Sequence, residues 1–323
     1  MTNSNPQAFA AIDIGSNTFR LMIADEAVMP HPTPWHIIAY THRIIRLGEG
    51  LHASGKLCDT AMLRAIQAFH AFADILKEHN IPADRTYAVA TAAIREASNG
   101  EAFCAQVKAE TGIQIHIIHG DIEANSSLAG SAAVLPKASR NDFLLFDIGG
   151  GSTEFVRAQH SCCLDAISRK LGVVRLVEAH LQSNPPSPHD YEQMKATCRQ
   201  HLTNVEQHWQ QTSGHIRPPK EMVGTAGTVT TLAAIDLNMV TYDANQINNH
   251  CITYARFMEL KQQLLDMALQ ERQAIPAIEA GRADLMIAGL AIIESIFDRW
   301  HYTSMRVVDA GLLEGAWLKI SSR

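Results

Sequence analysis

Apolar residues in this chain come in short runs separated by glycine, proline and small polar residues, a pattern of alternating strands and helices. The stretch AIDIGSNTFRLMIAD, from Ala11 to Asp25, reads as an apolar strand ending in Asp-Ile-Gly, a turn of small and hydroxyl residues, and a second apolar strand. LFDIGGGSTEFVRAQ, from Leu145 to Gln159, repeats it. Aligned without gaps, Asp13 faces Asp147, Gly15 faces Gly149 and Thr18 faces Ser152. Two similar hairpins about one domain apart predict two similar domains.

Between the hairpins, Met62, Ile66, Phe69, Ala73 and Leu76 share one helical face, which predicts a helix capped by Asp59 and running to about Glu78. TYAVAT reads as a strand, Glu101 to Glu110 as a helix, Ile113 to Ile118 as a strand, and Glu123 to Val134 as a helix rich in small residues. After the second hairpin, Leu181 to Asp190 is a turn-rich break before a polar amphipathic helix from Tyr191 to Gln211. EMVGTAGTVTTLAAIDL reads as strand, glycine turn and helix, and Gly281 to Arg299 as a strong helix. MRVVDAGLLEGAWLKI is a strand whose Asp309-Ala310-Gly311 turn leads into a last helix. This alternation predicts an α/β fold.

Composition narrows the function more than the fold. At 323 residues the chain suits two domains of roughly 100 to 200 residues each. No apolar run reaches the roughly 18 residues of a membrane span, and the longest, Leu285 to Phe297, is broken by Glu294. The N-terminus moves straight into a strand with no basic region ahead of it, so no signal peptide is expected and the expected location is the cytoplasm. Six scattered cysteines without a CxxC pair read as reduced thiols. His116 and His119 sit an odd number apart on a predicted strand, point to opposite faces, and cannot share a metal there. A net charge of −6 argues against DNA as a partner. A polyanionic substrate must then be held by a local basic pocket or by backbone amides.

The glycine turns supply such amides. A hairpin ending in Asp-Ile-Gly sets a carboxylate beside a turn whose glycines let amide groups approach phosphate oxygens. GTAGT, from Gly224 to Thr228, is a third glycine turn and opens a helix, whose N-terminus also favours anions. No GxxxxGK[ST] is present and no GxGxxG follows the first strand, which removes Walker-type and dinucleotide-binding readings.

Paired hairpins clamping phosphate between two domains resemble the actin, hexokinase and Hsp70 superfamily. Within it, AIDIGSNTFRLMIA, RLGEGL, ATAAIREASN, GDIEA, DIGGGSTEFV, LGVVRL, GTAGT and DAGLLEG follow the order and spacing of the exopolyphosphatase and guanosine pentaphosphate phosphohydrolase (Ppx/GppA) family, from Phe9 to about Gly315. The resemblance implies two actin-like (ribonuclease H-like) α/β domains with an interdomain cleft, one of residues 1–125 plus 309–323 and one of residues 126–308. It implies a metal-dependent phosphohydrolase that releases terminal phosphate from inorganic polyphosphate, converts pppGpp to ppGpp, or does both. It also suggests a homodimer, which the sequence itself does not show.

By the same resemblance, Glu123 is the general base on the attacking water. Its local sequence alone reads as a helix-N-terminal carboxylate favoured by the helix dipole. Asp147 and Glu154 are implied as ligands of Mg²⁺, with Mn²⁺ as the alternative ion. Asp13 could contact the metal's water shell or simply cap its turn. Implied phosphate donors are Ser16, Asn17 and Thr18, then Gly149, Gly150, Gly151, Ser152 and Thr153, with Gly227 at the third turn. Arg95 is the leading cation for gripping phosphate, and Arg46, Arg169 and Arg175 are weaker candidates for the rest of a polyanion. The chain departs from the family pattern at Ile122, Asn125 and Leu313, where an acidic residue and two arginines are common. Two other readings remain: an ATP-dependent kinase or ATPase of the same superfamily, and a non-catalytic sensor of polyphosphate or an alarmone.

Overall fold

The computed structural model describes residues 7–28, 31–214, 217–279 and 281–322. The first hairpin joins β1 (Phe9–Ile14) to β2 (Thr18–Glu26), and β3 (Trp35–Ile44) continues the antiparallel meander. Helices α1 (Leu51–Ser54) and α2 (Asp59–Glu78) cross over to β4 (Thr86–Ala90), which runs parallel to β1. Helices α3 (Ala92–Glu96) and α4 (Gly100–Thr111) lead to β5 (Ile115–Ile117), parallel to β4, and α5 (Gly120–Val134) follows. The sheet order is β3-β2-β1-β4-β5.

The chain then repeats this plan. Strands β6 (Phe143–Ile148), β7 (Thr153–Gln159) and β8 (Cys162–Arg169) form a second meander, followed by α6 (Val173–His180) and α7 (Pro188–Ser213). Strand β9 (Glu221–Thr225) lies parallel to β6, and α8 (Gly227–Asp236), α9 (Ala244–Ile247) and β10 (Cys251–Thr253) come next. Helices α10 (Tyr254–Asp266), α11 (Leu269–Gln273) and α12 (Met286–Trp300) precede β11 (Ser304–Val307) and the last helix, α13 (Leu312–Ser321). The order β10-β11-β9-β6-β7-β8 matches the first sheet strand for strand, with β10 added at one edge.

Two compact units result: residues up to Val134 together with those from Ala310 onward, and Leu135–Asp309. The sequence pattern places the first crossover near Asn125, but α5 runs unbroken through it to Val134. The reason is close packing on α13. A Cβ on Gly315 would lie 2.6 Å from the Ser126 carbonyl carbon, and one on Gly130 would lie 3.0 Å from the Gly311 carbonyl carbon. Ser131 Oγ donates to Ala310 O at 2.7 Å across the same contact. Small residues here let two helix backbones nearly touch.

In unit one, alternate residues of β1 feed different cores, as the pleat requires. Ile12 and Ile14 join Phe19, Phe69, Phe72 and Phe103 on one face, while Ala11 joins Met22, Trp35, Leu313 and Trp317 on the other. Unit two has one large core around Phe146, Phe155, Ile292 and Phe297. Among the boundaries that differ from the pattern, two have a local explanation. Cys58 is the N-cap of α2, so Asp59 sits in the first turn, where its charge favours the helix dipole. Helix α12 begins at Met286, because Gly281 takes φ 84° and the residues after it form a turn. All six cysteines are free thiols, and no helix among the described residues is long and apolar enough to cross a membrane.

Candidate active site

The two hairpins turn in the same way. Gly15 N donates to Thr18 O at 3.1 Å, and Gly149 N donates to Ser152 O at 2.9 Å. A Cβ on Gly15 or on Gly149 would lie 3.0 Å from that same carbonyl oxygen, a tight contact that favours glycine in both turns. The amides of Ser16, Asn17, Gly150 and Gly151 donate to no backbone carbonyl among the described residues.

Each turn is braced from its own unit. In unit one, the RLGEGL segment folds onto it: Ile45 N and Arg46 N donate to Asn17 O at 2.8 and 2.9 Å, and Gly48 N donates to Ser16 O at 2.8 Å. Arg46 is thereby fixed in the left-handed region at φ 54°. Ser16 and Asn17 are buried, and Asn17 Oδ1 has no hydrogen-bond partner among the described residues, while Nδ2 donates to Thr18 Oγ1 at 3.3 Å. In unit two, the LGVVRL segment does the bracing. Val173 N and Val174 N at the start of α6 donate to Gly149 O and Gly150 O at 3.1 and 3.0 Å, and Arg175 Nε donates to Gly151 O at 2.7 Å. Thr153 Oγ1 donates to Leu171 O, and Gly172 lies so close that a Cβ would stand 2.5 Å from the Gly151 carbonyl carbon. The Gly149 and Gly150 carbonyls share planar peptide groups with the Gly150 and Gly151 amides, so drawing those carbonyls toward α6 turns the two amides the other way.

The charges beside the turns differ. Asp147 and Glu154 are register partners on β6 and β7, which places two carboxylates side by side on one face at about 5 Å between Cα atoms. Glu154 is 2% exposed, and its Oε1 accepts from Ser168 Oγ at 2.7 Å. Among the described residues no three or more His, Cys, Asp or Glu side chains form a ready cage for a metal. A pair of carboxylates nevertheless suits Mg²⁺, which keeps several waters and shares phosphate oxygens. In the first hairpin, Asp13 faces Arg20 instead, and Arg20 Nε and Nη2 donate to its Oδ2 at 2.9 and 2.6 Å. Burial works against the Arg20 charge, but the attractions of Asp13, Tyr40 and Glu314 together outweigh it and raise the guanidinium pKa.

Glu123 and Arg95 come together within unit one. Glu123 lies in the first turn of α5 and is 5% exposed, with its amide donating to His119 O at 3.0 Å. Arg95, at the end of α3, donates from Nη1 to Glu123 Oε2 at 3.0 Å and to Ile118 O at 2.7 Å. The pair offsets the cost of burying a carboxylate and fixes its direction. Ile122 and Asn125 are exposed, with Asn125 Nδ2 donating to Asp121 O at 2.8 Å, whereas Leu313 is fully buried in the core.

Sequence reasoning passed over four residues here. Arg20 and Ser168 orient Asp13 and Glu154, and the ungapped alignment that matches Asp13 to Asp147 also sets Arg20 against Glu154, a signal available from sequence. His201 on α7 is the third. Burial lowers its pKa first, and the nearby positive charges of Arg169 and Arg175 lower it further, which places both arginines in one neighbourhood. Arg169 Nε and His201 Nδ1 are buried without hydrogen-bond partners among the described residues. The fourth is Arg282, whose guanidinium carbon would lie 2.6 Å from a Cβ on Gly227, at the start of α8.

Two units with the same sheet order, each opening in an Asp-Gly hairpin, define an actin-like (ribonuclease H-like) protein. The profile of the Ppx/GppA phosphatase family matches residues 24–323, and the chain belongs to that family. It is 31% identical over 321 residues to exopolyphosphatase 2 of Mycobacterium tuberculosis, covering 97% of this chain and 98% of the relative. Among solved structures it resembles the Ppx/GppA family member of Aquifex aeolicus, with a TM-score of 0.78 and 28% identity, covering 98% of this chain and 97% of that one. It also resembles an exopolyphosphatase from Cytophaga hutchinsonii, with a TM-score of 0.87 and 26% identity, covering 98% of each chain.

Proposed function

We propose that this member of the family is a Mg²⁺-dependent exopolyphosphatase, with Mn²⁺ as the alternative ion and pppGpp as the second substrate to test. Two observations carry the reading: unit one holds a buried, arginine-oriented Glu123, and unit two holds an acidic register pair beside a glycine turn. The M. tuberculosis relative, named an exopolyphosphatase, supports polyphosphate as the substrate class.

In this reading a water attacks the terminal phosphorus of the chain, and Glu123 accepts the proton that the water loses. The bond from that phosphorus to the bridging oxygen breaks, and the bridging oxygen leaves with the electron pair on a chain one phosphate shorter. Orthophosphate is the other product. The amides of Gly150 and Gly151, with the Ser152 and Thr153 side of the turn, hold oxygens of the transferred group, and Ser16, Asn17 and Thr18 do the same in the first hairpin. Asp147 and Glu154 would hold the divalent ion, which supplies charge neutralisation for the phosphate oxygens. Arg95 keeps Nη1 on Glu123 and has Nε and Nη2 to offer to phosphate, while Arg169 and Arg175 take the rest of the chain.

The test is phosphate release from polyphosphate and from pppGpp, side by side, by the protein and its Glu123→Gln variant. Loss of a general base should lower kcat by roughly 10² to 10⁴. Release that survives in Glu123→Gln would remove Glu123 as the base. Absence of release from both substrates by the unaltered protein would remove the hydrolase.

A further inference from the structure

Asn99 closes the ATAAIREASN motif and is the N-cap of α4, the place where asparagine ordinarily accepts from a helix's own first amides, yet its side chain makes no such bond. It reaches instead to the backbone of Leu57, 42 residues earlier in the chain. Oδ1 accepts from Leu57 N at 2.9 Å, and Nδ2 donates to Leu57 O at 3.0 Å and to Met62 Sδ at 3.6 Å. Beside it, Ser98 N and Oγ donate to Gly55 O at 3.0 and 3.2 Å. We infer that Asn99 is a positioning residue: acting through the loop that braces the first hairpin, it holds that hairpin's turn in register with the Glu123–Arg95 pair. This deepens the proposed function and rests on it.

The loop from Ile45 to Leu57 is pinned at both ends. At its start, Ile45 N and Arg46 N donate to Asn17 O and Gly48 N donates to Ser16 O, and a Cβ on Gly48 would lie 3.1 Å from Ser16 Cβ. Between the pins, Leu51 N donates to Gly48 O and Gly55 N to Leu51 O, at 3.2 and 2.8 Å, so α1 makes a short rung that passes on displacement. At its end, Ser98 and Asn99 hold Gly55 and Leu57. Those two residues follow α3, whose Arg95 donates to Glu123 at 3.0 Å. The corner between α3 and α4 is tight, since a Cβ on Gly100 would stand 3.1 Å from the Ile94 carbonyl carbon. Leu57 is 2% exposed, so without the amide its N–H and C=O lose partners that water cannot easily replace. Aspartate and serine cap helices as well as asparagine does, but aspartate offers acceptors only and serine a single oxygen. The carboxamide is the group that serves both backbone atoms of Leu57 at once.

The experiment is amide hydrogen exchange on the intact protein, followed by kinetics with polyphosphate at a temperature where each variant is folded. In Asn99→Ala, exchange should quicken about tenfold or more at Leu57 and also at Ile45, Arg46 and Gly48, while Gly149 in unit two keeps its rate. KM for polyphosphate should rise about tenfold, because a turn held less firmly binds phosphate less well, whereas partial unfolding alone lowers kcat and leaves KM in place. Asn99→Asp and Asn99→Ser, which keep an oxygen able to cap α4, should show the same losses. Quickening confined to Leu57, or an unchanged KM in a variant whose loop exchange has quickened, overturns the inference and leaves the hydrolase reading standing. Unaltered kinetics in Asn99→Asp and Asn99→Ser would reduce Asn99 to a helix cap and overturn it as well. Absence of phosphate release by the unaltered protein removes the hydrolase, and exchange at Ile45, Arg46 and Gly48 then decides by itself whether Asn99 holds the turn. Should Asn99→Ala not fold, Asn99→Ser decides.

Discussion

Substituting Gly315 by alanine tests how Glu123 is held in place. On propensity alone the change should stabilise α13 by about 1 kcal/mol, since glycine is a poor helix former. Packing opposes this. The new Cβ would stand 2.6 Å from the carbonyl carbon of Ser126 on α5 and closer still to its oxygen, against a comfortable carbon–carbon separation of about 3.5 to 4.0 Å. The helices must therefore part by about 1 Å. Overpacking of this kind costs about 1 to 3 kcal/mol, and stretching the 2.7 Å bond from Ser131 to Ala310 O removes about 1 kcal/mol more.

The sum leaves Gly315→Ala less stable by about 1 to 3 kcal/mol, which lowers the melting transition by roughly 3 to 9 °C. Calorimetry and urea unfolding read this directly. Because Glu123 sits on the first turn of the same α5, phosphate release should fall as well, at temperatures where the variant is still folded. A variant as stable as the original chain, or more so, would show that propensity outweighs the contact and that the α5–α13 approach is not tight.

Three further outcomes can be checked. Arg95→Ala removes the guanidinium from a buried Glu123 and should cost about 3 kcal/mol in urea unfolding, with part of that loss recovered in the Arg95→Ala/Glu123→Gln double variant; strictly additive losses would mean the two do not interact. Glu294 is buried, which pushes its pKa up, but hydrogen bonds from Tyr191, Lys195 and Lys261 prevail and hold it below its ordinary 4.5. Its contribution is therefore complete above pH 4.5 and lost as the pH falls through the lowered value, so Glu294→Gln should flatten the acid limb of stability, and an unchanged limb would refute this. His201 is held below its ordinary 6.5 by burial and then by Arg169 and Arg175, so stability should drop as the pH falls from 6.5 toward the lowered value. Polyphosphate bound by those arginines should raise the imidazole pKa in an NMR titration, and no shift would argue against their holding the chain.

Much of this fold is legible in the sequence because its central strands are buried on both faces and end in turns with demanding glycine chemistry. The near-repeat of the hairpins mirrors a sheet order repeated strand for strand. The edge strands leave weaker traces: β3 is largely exposed beyond Trp35, and no residue of β8 is fully buried, so neither shows a clean apolar alternation. The end of the first unit is hidden for another reason. The helix end at Val134 is read from the sequence, but nothing local assigns that helix to unit one, and the contact that keeps α5 there is made with residues near the other end of the chain. Partnerships within the site are equally nonlocal. Arg95 and Glu123 each stand in a recognisable motif, but no period links them, and only the crossover through β5 joins them.

Departures from the family pattern can be weighed by where their side chains lie. Leu313 is fully buried beside Ala11, Met22 and Trp317, an apolar setting in which an arginine would need a charge partner. It therefore belongs to the packing that carries α13. Ile122 and Asn125 lie on the exposed side of α5, while Glu123 points inward to Arg95. Changing them alters the surface next to the carboxylate and leaves its orientation intact. The carboxylate and two of the departures from the family pattern thus lie on different faces of one helix, so residues 122 and 125 can vary while the Glu123–Arg95 pair stays fixed. A sensor derived from this scaffold would have no need to keep that buried pair, since maintaining a carboxylate out of water has a cost that only a partner or a function offsets.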